Sequence, residues 1–81
     1  MNEQIRMHDI VALLEDTPAR HLLTGDQLLL RRGQMGTVVM TYDGITFEVE
    51  FAGRDGRAFA ILPVKADMLM VLRDTLEPTV A

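Results

Sequence analysis

The chain has 81 residues and a formal net charge of −4, with 48% hydrophobic and only 5% aromatic residues, six methionines and no cysteine. A chain this short buries only about 60% of its unfolded surface, so it can build one thin aliphatic core, and assembly would add to its stability. Disulfides, thiolate metal sites and a cysteine nucleophile are excluded, the average field repels phosphate, and no run approaches the roughly 18 apolar residues of a membrane helix.

Met1 to Met7 includes Glu3 and Arg6 and no apolar run, which speaks against a secretory signal. With no cysteine to oxidise, the expectation is a cytoplasmic protein. His8 to Leu14 is a short apolar run closed by Glu15, Asp16 and Pro18. Periodicity alone leaves strand and helix open, and the strands downstream favour strand. Thr17 to Gln34 is long for a plain connection. It reads as a loop, or as one or two helical turns capped by Thr17, with Pro18 at the first position and Gly25 as the stop. The triplet Leu28, Leu29 and Leu30 calls for burial on at least one face, against the domain or a partner.

The clearest signal begins at Gly36. Val38, Met40 and Tyr42 alternate with Thr37, Val39 and Thr41, and after Asp43-Gly44 the residues Ile45, Phe47, Val49 and Phe51 alternate with Thr46, Glu48 and Glu50. This predicts a hairpin with a two-residue turn in which both Asp43 and Gly44 take positive φ. The pairs would be Tyr42 with Ile45, Met40 with Phe47 and Val38 with Val49, all on the core face. A three-residue turn over Arg54, Asp55 and Gly56, with Gly56 left-handed, would set Phe59 opposite Phe51 and Ile61 opposite Val49. Ala58, Ala60 and Leu62 then lie outside, and Pro63 ends the strand. Lys65-Ala66-Asp67 reads as a tight turn or single 3₁₀ turn before a last strand over Met68–Leu72, and residues 74–81 read as a loose tail.

The expected core is Ile10, Ala12, Leu14, Val38, Met40, Phe47, Val49, Phe51, Phe59, Ile61 and Val71. The fold class is mainly β: a small SH3-like barrel of about five short strands with one long early loop, a single domain over 1–81 with its core at about 7–73.

Asp9-Ile10-Val11-Ala12-Leu13, Arg32-Gly33-Gln34 with Gly36-Thr37-Val38-Val39, Phe47-Glu48-Val49-Glu50-Phe51, Asp55-Gly56-Arg57 and Lys65-Ala66-Asp67 resemble, in order, the consensus of the bacterial domain-of-unknown-function family 4926. The blocks span about four-fifths of the chain, and only their succession is specific. The resemblance implies a compact SH3-like domain of bacterial origin and brings no activity, cofactor or catalytic residue. The stretch His21 to Leu30 departs from it by its greater length.

Candidate chemistry is sparse. There is no serine either. His8 beside Asp9 is the best acid–base suggestion, but neighbours on a strand point to opposite faces. His21 could join His8 and a carboxylate on zinc, without any spaced ligand motif to support it. Gly33-Gln34-Met35-Gly36 fits a GxxG pattern, which clamps nucleic-acid backbones in KH domains and also marks the entry to the second strand of KOW-type barrels; the preferred reading is a tight turn needing glycine φ/ψ. Tyr42, Phe47, Phe51 and Phe59, the only aromatics, are all assigned to the core face, which leaves no stacking platform. Catalytic, cofactor and metal residues are therefore expected to be none.

The sequence carries more leucine than such a barrel can hide. Leu22, Leu23, Leu28, Leu29, Leu30, Leu62 and Met70 form the candidate interface, and Gly33, Gly36, Asp43, Gly44, Asp55 and Gly56 the structural turns. The expected function is a non-catalytic protein-interaction or self-assembling module. Its partner would be a second copy, most simply in a dimer, or a small protein encoded by a neighbouring gene. A KOW-like nucleic-acid contact module, its local basic patch drawn from the adjacent Arg31 and Arg32, from Arg54 and Arg57 at a turn, and from Lys65, is the alternative, and an enzyme comes third.

Overall fold

The computed structural model describes residues 4–79. Among the described residues seven strands occur in the order β1 (Ile10–Leu13), β2 (Thr17–Arg20), β3 (Gln27–Leu30), β4 (Met35–Thr41), β5 (Thr46–Ala52), β6 (Ala58–Lys65) and β7 (Leu69–Val71), with one 3₁₀ turn over Ala66–Met68 before β7. Five of them form an antiparallel sheet in the order β6-β5-β4-β1-β7, while β2 and β3 pair apart as a hairpin. With the 3₁₀ turn before the last strand and a hairpin between the first and second sheet strands, this is the strand order of an SH3-like barrel. Residues 72–79 form no strand or helix. The reading of Met1 to Glu3 and the last two residues of the tail lie outside the described residues.

The segment after Thr17, which reads as a loop or as one or two helical turns, instead forms the hairpin β2–β3. Thr17 pairs with Leu30, Pro18 with Leu29, Ala19 with Leu28 and Arg20 with Gln27. Pro18 and Gly25 fit this equally well, because proline is tolerated in an edge strand and Gly25 supplies φ +75° at the turn. Leu30 and Ala19 face the core, and the Leu22 N–H donates to the Phe59 C=O at 2.9 Å, tying the hairpin to β6.

Both long hairpins form, each with one extra residue. Val38 stands opposite Val49 as expected, but the next pairs are Met40 with Glu48 and Thr41 with Phe47, so Val39 is a bulge. The turn is correspondingly longer: the Tyr42 N–H donates to the Thr46 C=O, Gly44 alone takes positive φ, and the Asp43 carboxylate accepts the Ile45 and Thr46 N–H groups. Met40, Tyr42 and Ile45 are exposed rather than core-facing. In the second hairpin the loop Arg54-Asp55-Gly56 is as expected, with Gly56 at φ +81° and the Gly53 N–H donating to the Arg57 C=O. A bulge at Phe59 then sets Ala60, not Phe59, opposite Phe51. Ala60 is buried, Phe59 and Leu62 are partly buried, and Ile61 turns outward. Pro63 does not end β6; it lies opposite Glu48 inside a strand that runs on to Lys65.

The core consists of Val11, Leu13, Leu30, Val38, Phe47, Val49, Phe51, Ala60, Val64 and Leu69. On β1 the inward residues are thus Val11 and Leu13, the opposite phase from the expected Ile10 and Leu14, which are exposed.

Candidate interaction surface

Register assigns each residue of the large sheet to a side. Val11 pairs with Gly36 and Val71, and Leu13 with Leu69, on the core side. On the outer side Ala12 pairs with Met35 and Met70, and Ile10 pairs with Thr37. Two further bonds extend the β1–β7 ladder, Leu14 N–H to Met68 C=O and Leu72 N–H to Ile10 C=O, both 2.9 Å. By the two-residue repeat this adds Leu14 and Leu72 to the outer side. Over this half of the sheet the outer side holds, among the described residues, Ile10, Ala12, Leu14, Met35, Thr37, Met70 and Leu72, without one charge. Ala12 is 4% exposed between Met35 at 56% and Met70 at 49%, so it forms a notch between two long, flexible side chains. The other half, β5 and β6, is mixed: Glu48 lies between Met40 and Pro63, and Glu50 between Thr37 and Ile61.

The leucines singled out in the sequence are divided among the core, a hollow beside β6 and the exposed hairpin. Leu30 is 3% exposed and belongs to the core, which removes it from any surface. Leu28 and Leu62 are partly buried and line a shallow hollow of about 400 Å³ between the hairpin and β6, together with Pro18, Ala19, Arg20 and Gln27. Leu22, Leu23 and Leu29 are exposed on the hairpin, and Met70 is exposed on β7. The exposed side of the hairpin is interrupted by Arg20 and Gln27, and the Arg20 guanidinium is held to the Gly25 C=O at 3.1 Å. Sequence reasoning placed Met70 but missed Ile10, Leu14 and Met35. The continuous apolar run Ile10 to Leu14 gives no alternation from which the phase of β1 could be read.

The glycine of the GxxG stretch that matters is Gly36. A β-carbon there would lie 2.7 Å from Val49 Cγ1 and 2.9 Å from Phe51 Cε1, whereas Gly33 supplies a turn at φ +90°. Asp16 anchors this turn, accepting the Arg32 N–H at 2.7 Å and Arg31 Nε at 3.3 Å. The Arg32 N–H, with the Arg31 charge as a lesser cause, holds the Asp16 carboxyl below the usual carboxylate range. Arg31, one of the arginines considered for a basic patch, is thus ion-paired.

The two histidines make separate local contacts. His8 takes φ +71° and donates its N–H to the Val38 C=O, while the Asp9 carboxylate accepts the Arg6 N–H rather than meeting the imidazole. His21 Nδ1 accepts the Leu23 N–H. Among the described residues no group of three or more His, Asp or Glu side chains is placed to hold a metal ion. Phe47 and Phe51 are buried and Phe59 is partly so, but Tyr42, expected in the core, is exposed and donates its hydroxyl to Glu48, which raises its pKa above the usual phenol value. Among the described residues no helix is long and apolar enough to cross a membrane.

A family model described as domain of unknown function (DUF4926) matches residues 7–71. No curated protein and no solved structure matches the chain significantly.

Proposed function

The chain belongs to the DUF4926 family, and from that premise and the exposed apolar surface of its sheet we propose that it is a non-catalytic SH3-like module that works by association with another copy of itself. The observation that carries this reading is the chargeless outer side of β4, β1 and β7. Burying a methionine or leucine side chain contributes roughly 1.5–3 kcal/mol. Leaving Ile10, Leu14, Met35 and Met70 all 40% or more exposed forgoes much of that in a chain too small to be stabilised by a large core.

Two features support the non-catalytic part: the sequence lacks serine and cysteine, and among the described residues neither histidine has a carboxylate partner or a second histidine in its hydrogen bonding. Nucleic-acid contact is disfavoured by the net charge of −4, by the Arg31–Asp16 pair and by buried Phe47 and Phe51.

Association that favours the folded state makes thermal stability depend on protein concentration. The melting midpoint should therefore rise as the chain is raised from about 1 to about 100 μM. A midpoint independent of concentration, with the chain monomeric, removes the reading.

A further inference from the structure

We propose that the two copies meet face to face across a two-fold axis on the outer side of β4, β1 and β7, with Met35 and Met70 of each copy flanking the Ala12 notch of the other. This rests on the self-association reading and adds the surface that performs it.

A two-fold axis opposes every patch with itself, so a charged patch meets its own sign. That condition disfavours the β5–β6 half of the sheet, where Glu48 and Glu50 outnumber Lys65 on the outer side and leave it net negative. It also disfavours the hairpin, whose exposed Leu22 and Leu29 are interleaved with Arg20 and Asp26. The β4–β1–β7 half alone is free of charge. Its relief is also self-complementary: the small Ala12 lies between Met35 and Met70 in one cross-strand row, so ridge and notch exchange places across the axis. Methionine suits the contact because its unbranched chain repacks to fill irregular gaps. The exposed parts of Ile10, Leu14, Met35 and Met70 amount to a patch on the order of the 300–600 Å² that is the largest on a typical monomer. With a polar rim this approaches the roughly 800 Å² per partner of a standard interface.

The strand edges do not offer an equal alternative. The β1–β7 ladder turns the Val71 N–H and C=O away from β1, leaving a single residue able to pair, since the Leu69 N–H already donates to the Ala66 C=O. At the other edge, Pro63 lacks an N–H and the hairpin covers Phe59.

The test uses two double variants of the full chain, Met35→Glu with Met70→Glu and Met35→Lys with Met70→Lys, read by light scattering. These side chains are half-exposed, so each variant should keep the parent's circular dichroism. Each alone should dissociate about 100-fold or more readily than the parent, the order expected when like charges are opposed in an interface. An equimolar mixture of the two should recover the dimer mass, which a mere loss of stability would not do. If the parent is a dimer and both variants remain dimers, the face assignment is wrong while self-association stands. Dissociation by Val71→Pro or Leu29→Asp alone would then move the contact to the strand edge or the hairpin. A monomeric parent would overturn both.

Discussion

Gly36 and Val49 lie so close across the core side of β4 and β5 that a β-carbon on residue 36 would stand 2.7 Å from Val49 Cγ1. Phe51 Cε1 at 2.9 Å and the Glu50 C=O oxygen at 3.0 Å close the same space from the neighbouring strand. Gly36→Ala should accordingly destabilise by about 1–3 kcal/mol through overpacking of a filled core. Denaturant unfolding reads this directly, and a variant as stable as the parent would show that the sheet can open at no cost.

Gly44 represents the opposite case. A β-carbon there would meet nothing within 4 Å, yet its φ is +80°. The cost of Gly44→Val is then conformational, about 1–3 kcal/mol for a β-branched residue held at positive φ. Gly44→Asn, which tolerates that region, should lose much less. Equal melting of all three proteins would contradict the turn geometry.

Asp43 connects the same turn to pH. Its carboxyl is held below the usual value of 3.8, first by the Thr46 N–H and then by the Ile45 N–H. A lowered folded-state pKa means that the unfolded chain takes up the proton first, so this contribution is complete above about pH 5 and is lost as pH falls through the ordinary aspartate range and below. Asp16, lowered by the Arg32 N–H, acts with the same sign. Stability should fall below pH 4. Asp43→Asn, which keeps the acceptor oxygen without the titration, should fall less steeply, and an identical acid slope would remove Asp43 from the account.

Short DNA and RNA duplexes and single strands give a separate check on the charge argument. At about 0.15 M salt no binding tighter than the non-specific 10⁻⁴–10⁻⁶ M range is expected. Submicromolar binding abolished by removing Arg31 and Arg32 would favour the nucleic-acid reading instead.

The fold is legible in the sequence where side chains alternate without interruption and hidden where a bulge or a continuous apolar run removes the phase. The alternation of Phe47, Val49 and Phe51 with Glu48 and Glu50 reports one uninterrupted strand, and those residues are buried and outward as it implies. The loop at Gly56 is marked by its own residue chemistry. The bulges at Val39 and Phe59 are not, since nothing local distinguishes them from their neighbours. Yet each displaces every later residue by one and so reverses its side of the sheet. That is why Met40 and Ile61 emerge on the surface and Ala60 enters the core. On β1 three apolar residues in succession, Val11, Ala12 and Leu13, are all buried, so no alternation existed to reveal which side faced inward. The chargeless face was hidden by that ambiguity, because it needs the β1 phase to become visible.

The unmodified chain should associate with itself. Sedimentation equilibrium between about 1 and 100 μM should give an average mass rising toward twice that of one chain. A mass that stays at a single chain throughout that range would contradict it.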